Sequence, residues 1–269
     1  MLKKVYKTCR AIIAIINNPW LLNLILEDNN LWCKYVISKY DHKNGLPVVQ
    51  IEDLFDKSGE TLNAFAFLDG GSLVTDYILL KKLASQISNC SYFEIGTWRG
   101  ESAKNVSEVA NECYTLNLSD KEIRKLGKNE NYVNSIGIFS NQSENIIHLK
   151  GNSFSYNFEK LNKKFDLIFI DGDHHFESVK NDTLRVFEHL VHENTIVVWH
   201  DYGFSPEKIR YEVLAAILDG LPEEKHKNLY SISNTLCAIY SPKKLNADFP
   251  MYPIIPKKKF RLSVYIENI

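Results

Sequence analysis

A doubly wound α/β domain with a mostly parallel sheet is the fold class this sequence predicts. Three observations predict it. From Cys90 to Ser241, short apolar runs alternate with amphipathic stretches of helical period. One run, "FDLIFID" at 165–171, lacks polar alternation, as expected of a strand covered on both faces. The last two runs, "LYSIS" and "TLCAIYS", are linked too tightly for a crossover, so they close the sheet as an antiparallel hairpin. Strands alternating with helices imply βαβ units in a three-layer sandwich.

The elements follow in order. Residues 1–75 show no βα alternation and read as a helical N-terminal extension, a lid or an oligomer contact. Within it, "MLKKVYKTCRAIIAIINNPWLLNLIL" begins basic and turns apolar. Its apolar run breaks at Asn17-Asn18-Pro19, too early for a membrane span, and it lacks a small-residue cleavage pattern. It reads as packed amphipathic helices, with contact to a membrane surface as the alternative. "LDGGSLVTD" is a turn into the helix "DYILLKKLASQI", with Thr75 or Asp76 as its N-cap. Residues 76–241 form the α/β domain. Its strands are "SYFEIG", "CYTLNL", "NIIHLKG", "FDLIFID" and "TIVVWHD", then the closing pair. Its helices are "ESAKNVSEVANE", "FESVKNDTLRVFEHLVHEN" and "PEKIRYEVLAAILDGLP", the last with Pro206 near its start and Gly220 to Pro222 as its stop. Residues 242–269 are a tail in which "FRLSVYIENI" reads as an edge strand or loose chain.

Composition narrows the function classes. The 269 residues are 45% hydrophobic and 24% charged, enough for a real core. A net charge of −1 removes any global electrostatic case for nucleic acid, and "PKKKFR" is a local cluster on a solvated surface. No transmembrane segment is expected. The five cysteines are scattered and form no CxxC pair, which fits reduced thiols in a cytoplasmic protein.

In open α/β sheets ligands bind beyond the carboxyl ends of the strands. "FEIGTWRGES" places Glu94, Gly96 and Gly100 at such an end. The glycines permit a tight turn and close approach to a ligand at a helix start. The spacing E-x-G-x-x-x-G is not the dinucleotide fingerprint, which argues against a nicotinamide oxidoreductase. This stretch resembles motif I of class I S-adenosylmethionine-dependent methyltransferases, and "EIGTWRGES" is similar to the loop of the catechol and macrocin O-methyltransferase-like group. The resemblance covers roughly residues 76–240. It implies a Rossmann-like fold, with S-adenosyl-L-methionine held by Glu94, Gly96, Thr97, Trp98, Gly100 and Ser102. It also implies adenine contacts from Ser153 and Phe154 in "GNSF", and a small-molecule acceptor. The second strand departs from the family, which usually ends it in an acid that binds the ribose hydroxyls. The matching residue here is Asn117, an amide without a carboxylate's charge-assisted bonds, and Asp120 is the alternative ribose contact.

Asp171 ends one central strand and His200-Asp201 ends another. Adjacent strands lie about 4.8 Å apart, so the two carboxylates repel unless a cation sits between them. The metal-dependent relatives bind a divalent ion at these positions, which implies Asp171, His200 and Asp201 as ligands to Mg²⁺ or Mn²⁺. An imidazole in that set shifts the preference toward Mn²⁺, Fe²⁺ or Zn²⁺. His174 stands where relatives carry a catalytic Lys or His, and it reads as the base that takes an acceptor's hydroxyl proton. Asp173 reads as a loop hydrogen-bonder, and Glu177 and Asp182 as helix-start and surface charges. Trp98 is read equally as a cofactor shield or as packing.

The expectation is therefore O-methylation of a small hydroxylated molecule or sugar, assisted by a divalent metal, in a chain that forms a homo-oligomer. Two other classes compete. A non-catalytic methyltransferase-like binding module is favoured by Asn117 and His200. A metal-dependent phosphoesterase is suggested by "GDHH" and "WHD", but two-metal chemistry needs more ligands than the other strand ends offer.

Overall fold

Among the described residues there are ten strands: β1 (Val48–Val49), β2 (Ser91–Ile95), β3 (Glu112–Asn117), β4 (Ile146–Lys150), β5 (Phe165–Ile170), β6 (Val191–Trp199), β7 (Gly203–Ser205), β8 (Lys208–Ile209), β9 (Leu229–Ile232) and β10 (Ala238–Tyr240). They are seen in a computed structural model that describes residues 2–22, 25, 28–55 and 59–268. Eight join one sheet in the order β1-β9-β10-β6-β5-β2-β3-β4, and β7 and β8 form a separate hairpin. Strands β2 to β6 are mutually parallel, and β10 runs antiparallel to both β6 and β9. The mostly parallel sheet and reversed closing pair expected from the sequence are present.

The chain winds outward in both directions from β2 and β5, which opens a crevice at their carboxyl ends. Apart from Asp166, β5 is apolar because both its faces are covered: Phe165, Leu167, Ile168 and Phe169 are wholly buried, with Phe93 beside them on β2 and Val197, Val198 and Trp199 on β6. Trp199 is a core residue, and its indole N–H donates to Thr183 Oγ1 at 2.9 Å. A rigid floor thus carries the strand-end residues.

Several boundaries differ from the sequence reading. The helix expected over 176–194 stops at His189, because the Leu190 carbonyl accepts from Phe165 N and Val191 enters β6. The last long helix starts at Tyr211, not near Pro206, which sits in the turn of the β7–β8 hairpin. The helix Val74–Ser85 has Leu73 at its N-cap, and Asp76 reaches back to the Leu73 N–H at 2.6 Å. The extension contributes more than helices: β1 pairs in parallel with β9 at the sheet edge. The helix Asn29–Tyr40 docks on the helix Tyr211–Gly220, where Tyr35, Lys39 and Tyr40 converge on Asp219. By contrast, the helix Leu2–Asn17 is almost entirely exposed, so the packed reading of that segment does not hold. Residues 23–24 and 26–27 of its apolar stretch lie outside the described residues. "FRLSVYIENI" forms no strand over its described residues 260–268. The tail is tied to the β1 edge by an antiparallel bridge from Asp248 to Val48 and by Lys258 on Gln50. No described helix is long and apolar enough to cross a membrane.

Candidate functional site

The glycine loop is built by close approach. Gly96 has φ +101°, and a Cβ added there would lie 1.9 Å from the Asp171 carbonyl oxygen. Gly100 has φ +80° and faces Ser140 just as tightly, while the Trp98 and Arg99 carbonyls accept from Gly137 N and Phe139 N. The loop is thus clamped between the end of β5 and residues 137–140. Beneath it Glu94 is fully buried. Tyr92 and Ser102 donate to its Oε2 at 2.7 and 2.9 Å, and Oε1 has no hydrogen-bond partner among the described residues. Burial lifts its carboxyl to about 8. A carboxyl with one unused oxygen beneath the glycine turn has a hydrogen bond still to make.

The other loop residues are placed as follows. Thr97 is buried and shares a hydroxyl contact with Thr115. Trp98 takes the left-handed φ of +35° and stacks on Tyr132 at 6.0 Å, with the Arg99 guanidinium 4.1 Å from its ring. They line a cleft of about 470 Å³ with Lys128 and Asn129. Asn117 ends β3 with its amide on the Leu118 carbonyl at 3.3 Å. Asp120 does not reach in as the alternative ribose contact; it pairs with Lys150 at 2.7 Å on the surface. Phe154 is exposed, and the Ser153 hydroxyl donates to Asp182.

Asp171, His200 and Asp201 converge, with one donor atom from each lying within 4.8 Å of the others. His200 is buried, and its Nε2 lies 3.2 Å from Asp76 Oδ2. Its Nδ1 lies 3.1 Å from Asp171 Oδ1 and 3.4 Å from Asp201 Oδ2, close enough for an ion pair but aligned as a hydrogen bond with neither. Asp76 is itself fully buried and anchored by the N–H groups of Leu73 and Leu236. A carboxylate behind one imidazole nitrogen fixes the tautomer and presents the lone pair of the other. The three donors therefore suit a divalent cation that accepts nitrogen beside oxygen. Without one, a proton suits the same place. Burial opposes charge on His200, but Asp171, Asp201 and Asp76 outweigh it and hold the imidazole well above its ordinary range. Burial raises Asp171, with His200 pulling the other way. Burial would also raise Asp201, but His200, Arg210 and His174 hold it below the usual carboxylate range. Asp201 adopts φ +57°, a left-handed conformation that turns its carboxylate at the strand end.

His174 reaches the cluster, its Nδ1 4.0 Å from Asp201 Oδ2, and it stacks on His175. Asp173 is a loop hydrogen-bonder that takes Ser178 Oγ at 2.7 Å and also contacts His175. Three residues escaped the sequence reading. Asp76 backs His200. Arg210 lies 3.5 Å from Asp201, with Nε and Nη1 buried and without hydrogen-bond partners among the described residues. Asp182 is not a surface charge; it is buried beside Ser153, and burial lifts it to about 6. Its position was readable, because it falls between Val179 and Val186 on the apolar face of its helix. The same signal marks Asp76, which stands three, four and seven residues before the buried Leu79, Leu80 and Leu83; Arg210 had no such local signal.

Residues 93–202 match the family described as a methyltransferase domain. That stretch, about two fifths of the chain, is thus similar to a methyltransferase domain, and it takes in the Gly96 loop and the cluster Asp171–His200–Asp201. An uncharacterized protein of Acanthamoeba polyphaga mimivirus is 27% identical over 148 residues, which are 48% of this chain and 61% of that protein. The matched stretch therefore spans about three fifths of that relative. Among solved structures, the SAH-bound Podospora anserina methyltransferase PaMTH1 is 18% identical over 64% of this chain and 80% of its own, with a TM-score of 0.48. The O-methyltransferase TomG of Streptomyces achromogenes is 14% identical over 64% and 82%, with a TM-score of 0.44.

Proposed function

We propose that the domain transfers a methyl group to a hydroxyl oxygen of a small hydroxylated molecule or sugar, at the cluster Asp171–His200–Asp201–His174. The observation that carries this reading is the convergence of those four side chains beside the Gly96 loop. S-adenosylmethionine supplies an electrophilic methyl carbon on a positively charged sulfur. Glu94, Gly96, Thr97, Trp98, Gly100 and Ser102 would hold its amino-acid end, with Glu94 Oε1 the unused acceptor beneath the loop. Asn117 would take the ribose, and Ser153 and Phe154 the adenine. Transfer would form a C–O bond to the acceptor as the C–S bond breaks, with that electron pair going to sulfur. His174 takes the hydroxyl proton at Nε2, since its Nδ1 faces Asp201. A divalent ion held by Asp171, Asp201 and His200 Nδ1 would lower the acceptor's pKa and orient it.

A separate cavity of about 590 Å³ lies beside Tyr202 at the β1–β9 edge, lined by the N-terminal segment and the tail through Leu46, Gln50, Tyr252 and Ile254; none of Asp171, His174, His200 and Asp201 lines it. A second reading has its own observation: His200 Nδ1 lies 3.1 Å from Asp171 and 3.4 Å from Asp201, so an imidazolium there would offset one of the two carboxylate charges and the site would work without metal.

Calorimetric titration with S-adenosylmethionine, with and without Mn²⁺ or Mg²⁺, tests the proposal. Binding of the cofactor together with metal binding that disappears in Asp171→Asn supports the metal-assisted reading. Cofactor binding with no metal uptake leaves His200 as the internal cation. Absence of cofactor binding under both conditions would make the domain a non-catalytic module.

A further inference from the structure

The helix Leu2–Asn17 has no place in the catalytic domain. It packs chiefly against the short turn Pro19–Leu22 that follows it. Val5, Tyr6, Cys9, Ile12, Ile13 and Ile16 fall on one face of it, a stripe about 120° wide. These side chains are exposed, from 52% at Ile12 to 71% at Ile16, and Trp20 beyond the helix end is 61% exposed. The opposite face carries Lys3, Lys4, Lys7 and Arg10. Residues 1–26 contain no Asp or Glu.

We propose that this helix lies in the plane of an anionic lipid surface and tethers the domain to it. The apolar stripe enters the acyl boundary, and the four cations meet the headgroups. Trp20 is the side-chain type that settles at such an interface. At 16 residues the helix is too short to span, so it binds by lying flat. The charge pattern selects this occupant over a second copy of the chain. Two copies packed on their stripes would bury the apolar face but leave the four cations of each helix in solvent with no acid on either helix to pair them, whereas an anionic leaflet matches both faces. The proposal does not depend on the chemistry assigned to the strand ends.

Flotation of the full chain with phosphatidylcholine vesicles, with or without phosphatidylserine, tests it. Binding is expected to the anionic vesicles only, and to weaken as salt rises. Each cation near such a surface is worth about fivefold in affinity, so Lys3, Lys4 and Lys7 all changed to Gln lowers binding by about a hundredfold. Ile13→Asp with Ile16→Asp abolishes it. Both variants keep wild-type cofactor affinity and thermal stability, because they do not touch the domain. Light scattering on the same samples reads oligomeric state. No vesicle binding, equal binding to neutral vesicles, or an oligomer that the Ile13→Asp, Ile16→Asp variant dissolves would each overturn the proposal.

Discussion

Gly96→Ala is the substitution whose outcome the structure constrains most tightly. Two costs add at that position. The first is backbone strain: φ is +101°, a region alanine rarely adopts, worth about 1–3 kcal/mol. The second is steric. The new Cβ would sit 1.9 Å from the Asp171 carbonyl oxygen, so the loop and the end of β5 must part by about 1.5 Å to reach an ordinary contact at 3.4 Å. Strain alone lowers Tm by about 2–12 °C for a chain of this size. The displacement also moves the loop against Asp171, and a shift of about 1 Å at a reacting site costs on the order of a hundredfold. Gly127→Ala is the internal control, because its φ is +78° but a Cβ there meets nothing within 4 Å. It carries the strain without the clash. Thermal melts and calorimetric titration with S-adenosylmethionine read both effects. Both variants should melt lower, and only Gly96→Ala should lose more than tenfold in cofactor affinity. Cofactor affinity within twofold of wild type in Gly96→Ala would refute the close-approach reasoning.

Other expectations rest on single groups. His174→Ala should leave cofactor affinity unchanged while kcat falls by about 10²–10⁴; loss of cofactor binding or folding instead would remove His174 as the base. Asp182 has a folded value of about 6 against an ordinary 3.8, so its contribution is complete below the unfolded value and is lost as pH rises through about 6. Asp182→Asn should flatten the decline in stability across that window, a difference of about 3 kcal/mol in denaturant melts at the two ends; an unchanged pH slope would count against a buried ionisation there. Mn²⁺ must displace the proton from His200 Nδ1, so its affinity should rise with pH and its binding should release protons, read by calorimetry in buffers of different ionisation enthalpy. Metal uptake that is independent of pH between about 6 and 9 would exclude His200 as a ligand.

The sheet, the glycine turn and the strand-end positions of Asp171, His200 and Asp201 were legible in the sequence by itself. Each is a consequence of local periodicity: apolar runs define strands, and the residue after a run stands at the crevice. The β6 start and the Pro206 turn were misread because helical and strand periods look alike over a few residues. Tertiary structure alone decided the partners. Asp76 comes to His200 across 124 positions of sequence, and it determines which imidazole nitrogen faces the two acids. Lys150 draws Asp120 away from the ribose side, and Tyr132 stacks on Trp98. The same holds for charge. Whether Glu94 or His200 carries a proton depends on burial and on neighbours from other strands and helices, and those distances exist only once the chain has folded.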